Sequence, residues 1–192
     1  NDHQLLNASE VQERISIEGA LGGLFNKECA TIQPYELLVG LARHLTTQGV
    51  SIFTHSRASA VAGGVLVNSH LVKANAVIHA TEVFGEARRD FIPLYSLMVA
   101  TEPISDVIWS QIGNKERFTF AESSHIINYA QRTADNRLAF GGRGATYPFG
   151  SRLTSKKETT VRVHEHLRHL ARQWFPMLKS VRFTHEIGRA HV

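Results

Sequence analysis

The chain has 192 residues, 43% of them hydrophobic and only 20% charged, a balance that predicts a globular chain with a sizeable core and excludes disorder. No apolar run reaches the roughly 18 residues of a membrane-spanning helix. The net charge is +4, but residues 1–150 hold 12 Lys and Arg against 14 Asp and Glu while residues 151–192 hold 9 against 3, so a solvated basic helix accounts for the excess and a nucleic-acid groove is excluded.

In chain order, Ser9 is placed to cap a short helix through Ile15, with Glu10 and Glu13 in its first turn. Glycines 19, 22 and 23 follow, and Leu24-Phe25 starts a strand. Cys29 is the single cysteine and has no internal disulfide partner; together with a start, NDHQLL, unlike a secretory leader, it predicts a cytoplasmic, reducing setting. Pro34 suits a first helical position, Leu37, Leu38, Leu41, Ala42 and Leu45 recur on one face, and Gly49 stops the helix. The stretches VSIFTH, SRASAVAG, VLVNS and KANAVIHAT read as four short strands, with Gly63-Gly64 as a tight hairpin. The nearly all-apolar run 76–80 predicts a strand covered on both faces, as in a parallel sheet, with helix 34–48 as the crossover.

A short amphipathic segment then reaches Arg89, a strand spans 94–101, and a helix capped by Ser105 or Asp106 runs to Ile112. HIINYAQRT and RLAFGGRG are strands joined by the turn residues Ala134-Asp135-Asn136, which implies antiparallel pairing. Val163, Leu167, Leu170 and Trp174 predict one helix over 155–175, ended by Pro176. The fold class is α/β followed by α+β.

Few motifs carry chemistry by themselves. His166 and His169 share a helix face, but His164 points elsewhere and no Cys or Asp stands near, so the three read as solvent-facing histidines and no metal site is expected. Gly142-Arg143-Gly144 begins like a GxGxxG loop, yet Tyr147 fills the third glycine position and Pro148 blocks the helix that should receive a phosphate. There is no GxSxG elbow. Tyr129, Arg132 and Arg143 lie on adjacent strands, where they either grip a carboxylate or decorate an ordinary sheet surface; residue types leave both readings open.

The order of segments says more. GGLFNKECATIQPYELLVGLARHLTTQGVSIF, KANAVIHAT, LYSLMVATEPIS and INYAQRTADNRLAFGGRG, in that succession over about 19–185, resemble the FAD-dependent amine and amino-acid oxidoreductases of the D-amino-acid oxidase superfamily. That superfamily includes glycine oxidase, sarcosine oxidase and the bacterial gamma-glutamylputrescine oxidase-like members. The resemblance implies part of an FAD-binding Rossmann-like domain joined to an antiparallel-sheet substrate domain. Residues 1–33 would connect or belong to the substrate domain, 34–83 form part of the FAD domain, and 84–185 form the substrate domain and a return strand. Ala58, where the family carries valine, would lie against the adenine end of FAD through its backbone. Ala80 and Thr81 match the end of a strand that approaches FAD, with Glu82 where the family has a small or amide residue. Tyr129 and Arg143 would face substrate or flavin, with Gly141, Gly142 and Gly144 letting backbone come close. The family's GxGxxG loop and its C-terminal Trp-Gly element have no match here, so an internal stretch of a longer protein, inactive by itself, is expected. Residues 186–192, EIGRAHV, look like a translated sequencing adapter.

The implied reaction is oxidation of a C–N bond in a small amine or amino acid, with imine hydrolysis and release of hydrogen peroxide. It requires no side-chain base, so no catalytic residue is named. Two other readings stay open: a dehydrogenase of the same superfamily that uses another electron acceptor, and a non-catalytic α+β binding module. Nothing in the sequence indicates the oligomeric state.

Overall fold

The chain opens with β1 (His3–Asn7), which runs directly into α1 (Ala8–Arg14). Asn7 caps this helix, not Ser9: its side-chain oxygen accepts the Glu10 N–H at 3.0 Å, and the Glu10 carboxylate accepts the Asn7 N–H at 2.7 Å. That reciprocal box requires the capping oxygen three residues before the Glu, which leaves Ser9 inside the first turn. β2 (Gly22–Asn26) folds back antiparallel on β1. α2 (Pro34–Thr47) starts at Pro34, with the Gln33 side chain accepting the Glu36 N–H.

Next come β3 (Ala58–Val61), β4 (Gly64–Val67) and β5 (His70–Lys73), an antiparallel meander. Gly63, at φ +80°, makes the first turn. Here the structure departs from the expected strands: residues 50–57 and 74–81 lie in no strand, and 76–80 is exposed. The reason is local. Asn68 and Ser69 both take positive φ, +45° and +71°, the two-residue hairpin turn that pairs 70–73 with β4 and leaves the rest of KANAVIHAT, residues 74–81, beyond the ladder.

The remaining elements are β6 (Leu94–Thr101), α3 (Asp106–Ile112), β7 (Phe120–Ala121), β8 (Asn128–Arg132), β9 (Leu138–Arg143), α4 (Ser155–Glu158), α5 (Val161–Trp174) and β10 (Phe183–His191). The single helix expected over 155–175 is broken at Thr159-Thr160. Both threonine hydroxyls bond back to carbonyls of the preceding turn, Thr159 to Ser155 at 3.3 Å and Thr160 to Lys157 at 3.0 Å, an alternative to continued helix. This computed structural model describes residues 3–85, 90–143, 147 and 149–191. Among them no helix is long and apolar enough to cross a membrane.

Two compact units result, Asn1–Thr31 with Glu86–Val192, and Ile32–Gly85. The first is built on an antiparallel sheet in the order β10-β6-β9-β8-β7. Its core lies between one sheet face and α5. Val163, Leu167 and Ala171 meet a face made of Tyr95, Leu97, Val99, Ala130, Leu138 and Phe140, all buried. Trp174 stands edge-on to Phe140 at 4.9 Å. His164 belongs to this buried stripe and is fully enclosed, its Nε2 3.2 Å from the Ile187 carbonyl. The 3.6-residue period puts it beside Val163 and Leu167, which corrects its reading as a surface histidine. Residues 186–191 continue β10 along β6. The N-terminal hairpin is tied in by Ser16 N–H to Ile112 O at 2.8 Å and Asn114 N–H to Arg14 O at 2.7 Å. In the second unit, Leu37, Leu38 and Leu41 of α2 are exposed and Val83, in a 3-10 turn over Glu82–Phe84, is buried.

Where β6 ends and β10 begins, the Glu102 carboxylate accepts the Arg182 backbone N–H at 3.1 Å and its guanidinium at 2.9 and 2.6 Å. These hydrogen bonds to Arg182 hold the Glu102 carboxyl below the usual carboxylate range. A carboxylate with a lowered folded pKa contributes stability above its unfolded value, about 4.3 for Glu, and loses it as pH falls through the folded value. Urea midpoints measured at pH 7 and pH 3 should therefore fall further for the wild type than for Glu102→Gln.

Candidate functional site

Successive residues of a strand face opposite ways, so the sheet of the first unit has a second face. It carries Ser96 and Met98 of β6, Gly141 of β9, and Tyr129 and Gln131 of β8. Tyr129 and Gly141 are direct cross-strand partners. A Cβ at Gly141 would lie 2.7, 2.8 and 3.0 Å from Cε2, Cζ and Oη of Tyr129, so the ring lies across the glycine. Beyond it, the phenol shares a hydrogen bond of 2.6 Å with the Ser96 hydroxyl. The Cα of Arg143 sits opposite Ser96 at the end of β9. Two sequence candidates, Tyr129 and Arg143, are thus on neighbouring strands within two positions of one another. Gly144 lies outside the described residues.

The next position, Gly142, serves the core. A Cβ there would meet the Asn128 side-chain oxygen and stand 3.0 Å from Leu167 of α5. Ser96 is not among the sequence candidates, although the alternation of LYSLMVAT turns it away from buried Tyr95 and Leu97 and marks it as the polar member of the outward row.

Arg132 belongs elsewhere. Its guanidinium lies 4.5 Å over Trp109 and donates from Nε and Nη2 to the Asn136 side-chain oxygen at 3.1 and 2.8 Å. Arg117 donates to the same oxygen at 2.7 Å and to the Thr133 carbonyl at 2.6 Å. Trp109 Nε1–H donates to the Asn136 carbonyl at 2.9 Å. Burial, and then the neighbouring Arg117 charge, push the Arg132 pKa down. The guanidinium is therefore committed to the β8–β9 turn and does not join Tyr129.

The three cofactor candidates lie in the second unit. Ala58 begins β3 opposite Val67, exposed. Ala80 and Thr81 are exposed and lead into the 3-10 turn, where the Thr81 carbonyl accepts the Phe84 N–H at 3.0 Å and Glu82 takes φ +51°. Gly85 closes on Thr81 so tightly that a Cβ there would stand 2.5 Å from Oγ1.

The comparisons with known proteins bear on the whole chain. The FAD dependent oxidoreductase (DAO) family model matches residues 1–189. The chain belongs to this family of FAD-dependent oxidoreductases. Among curated relatives, a probable oxidoreductase OrdL of Haemophilus influenzae is 24% identical over 152 residues, 72% of this chain and 35% of its own length. Gamma-glutamylputrescine oxidoreductase of Escherichia coli is 23% identical over 192 residues, 95% of this chain and 43% of its own length. Two solved structures share the fold. L-proline dehydrogenase from P. horikoshii aligns with a TM-score of 0.76 at 17% identity, over 98% of this chain and 52% of that one. Glycine oxidase from Geobacillus kaustophilus gives 0.70 at 16% identity, over 98% and 50%. The chain thus spans half or less of the length of most of these proteins. The expected class, mixed α/β with antiparallel sheets in the manner of part of an FAD-binding fold, is the fold these structures share.

Ala58 and Ala80 are exposed and bear only methyl groups, so no side chain at either position would keep a cofactor from the main chain. The sequence has no GxGxxG loop for a pyrophosphate.

Gly141→Ala should lower stability by about 1–3 kcal/mol, the usual range for overpacking. Combined with Tyr129→Ala, which removes the obstructing ring, the same substitution should cost less than half as much. Urea denaturation of the two single variants and the double checks this.

Proposed function

We propose that this chain is part of an enzyme that oxidises the C–N bond of a small primary or secondary amine or amino acid. The observation that carries the reading is the family match along residues 1–189. The compounds named in its relatives, gamma-glutamylputrescine, L-proline and glycine, each hold an amine nitrogen on saturated carbon, which supports the substrate class. Bound FAD would supply the acceptor for the hydride removed from the carbon next to nitrogen. Ala58, Ala80 and Thr81 would hold the cofactor through main-chain groups, and Tyr129 and Arg143 would face substrate from the second face of the sheet. The protein's part is orientation and exclusion of water, and no side chain is required as a base. Water would hydrolyse the imine product to a carbonyl compound with release of ammonia or an amine, and dioxygen, taking up the two electrons and two protons removed from the substrate, would leave as hydrogen peroxide. A dehydrogenase that passes its electrons to another carrier is the second reading, favoured by the fold likeness to L-proline dehydrogenase.

An enzyme carrying this chain together with a GxGxxG segment should turn over small amines with one peroxide formed per amine consumed. Dye reduction without peroxide would replace the oxidase reading by the dehydrogenase one, and failure of both with a broad amine panel would overturn the proposal. The purified 192-residue chain by itself should show no flavin absorbance.

A further inference from the structure

We propose that Ser96 is a positioning residue: its hydroxyl pins the Tyr129 ring flat across Gly141, so that the sheet offers substrate the face of the ring and not a projecting phenol. The inference rests on the reading of Tyr129 as a substrate-side residue and adds to it the pose in which Tyr129 acts.

The geometry is unusual for a tyrosine on an outward sheet face. Ser96 and Tyr129 are on strands that do not touch, β6 and β8, with β9 between them. Adjacent strands lie about 4.8 Å apart, so the Tyr129 side chain, the hydrogen bond and the Ser96 side chain together bridge the roughly 10 Å between the two strands. It does so over the one residue that allows it. Gly141 has no Cβ, and three ring and hydroxyl atoms occupy the space a Cβ would take. Met98, the other Cα partner of Gly141, lies beside this crossing on β6. The 2.6 Å bond to Ser96 ends the span and removes rotation about both side-chain torsions.

Two chemical consequences follow. The Tyr129 hydroxyl is already paired inside the sheet, so the polar edge of the ring is turned away from any molecule resting on it. Its π face remains, a broad surface suited to alkyl groups or to a cationic nitrogen. Holding that surface in place before substrate arrives favours binding and leaves the chemical step alone. Ser96 should therefore act on KM and not on kcat.

The test combines kinetics with a readout that needs no flavin. In the FAD-loaded enzyme that carries this chain, Ser96→Ala and Tyr129→Phe should each raise KM about three- to tenfold, the size of one lost hydrogen bond. The double variant should be no worse than either single, because both remove the same bond. Ser96→Thr, which keeps a hydroxyl, should restore most of the affinity, and kcat should stay within about twofold throughout. In the flavin-free protein, nitration of Tyr129 by tetranitromethane, followed by peptide mapping, should be faster in Ser96→Ala than in the wild type or Ser96→Thr. Additive KM effects, a loss confined to kcat, or nitration unchanged by Ser96→Ala would overturn the proposal. Faster nitration in Ser96→Ala with an unchanged KM in Tyr129→Leu would keep the pin and overturn the substrate-side reading of Tyr129.

Discussion

Two consecutive glycines in the central strand set the distances on which both sides of the sheet depend. Because neighbours in a strand face opposite ways, Gly142 admits Leu167 and the Asn128 side chain on the helix side while Gly141 admits the Tyr129 ring on the other. Glycine weakens a strand interior through its backbone entropy and its missing side chain, and here the close approach of α5 and of an aromatic ring offsets that loss. A methyl group at either position would push away a different partner. The core and the candidate site therefore share one dipeptide, and neither can be adjusted without regard to the other.

Such an arrangement is sensitive to register. A slip of one residue between β8 and β9 would exchange the two glycines and carry Tyr129 to the helix side. The β8–β9 turn is correspondingly well fastened. Arg117 and Arg132 converge on one Asn136 oxygen, Trp109 lies under Arg132, and Trp109 also donates to the Asn136 carbonyl. Asn136 itself takes φ +63°, a conformation asparagine tolerates better than most residues. Thr133 and Asp135 add a hydroxyl–carboxylate bond of 2.6 Å, and the hydrogen bonds from Thr133 and Arg137 hold the Asp135 carboxyl below its usual range. The turn lies at the far end of the strands from Arg143, yet it decides which residues lie on the second face of the sheet.

Much of this fold can be read in the residues. Helix α2 is announced by Pro34 and the leucine spacing, β6 by LYSLMVAT closing at Glu102-Pro103, and the β8–β9 pair by its turn residues. Those signals are local, and local signals survive folding. The departures turn on a residue's partner or phase, which its type alone does not show. Asn7 wins the cap because of a partner three residues on, which residue preference at Ser9 does not weigh. KANAVIHAT has the composition of a covered strand, but among the described residues of its unit no strand lies alongside to complete a ladder. His164 looks polar in a list and is buried by helical phase alone. For the site, Tyr129 and Arg143 were legible as neighbours on adjacent strands. The pose of Tyr129 was not, because it depends on Ser96, which is 33 residues away in sequence and two strands away in the sheet.

The two tryptophans, Trp109 and Trp174, both belong to the unit of the five-stranded sheet, and the second unit holds none. Their surroundings differ: Trp109 is buried beneath a guanidinium, and Trp174 touches Phe120 and Phe140. Indole emission is consequently a private signal of one unit. A melting curve followed by fluorescence would pass over any separate loosening of Ile32–Gly85, whereas far-ultraviolet dichroism would register the loss of α2 there.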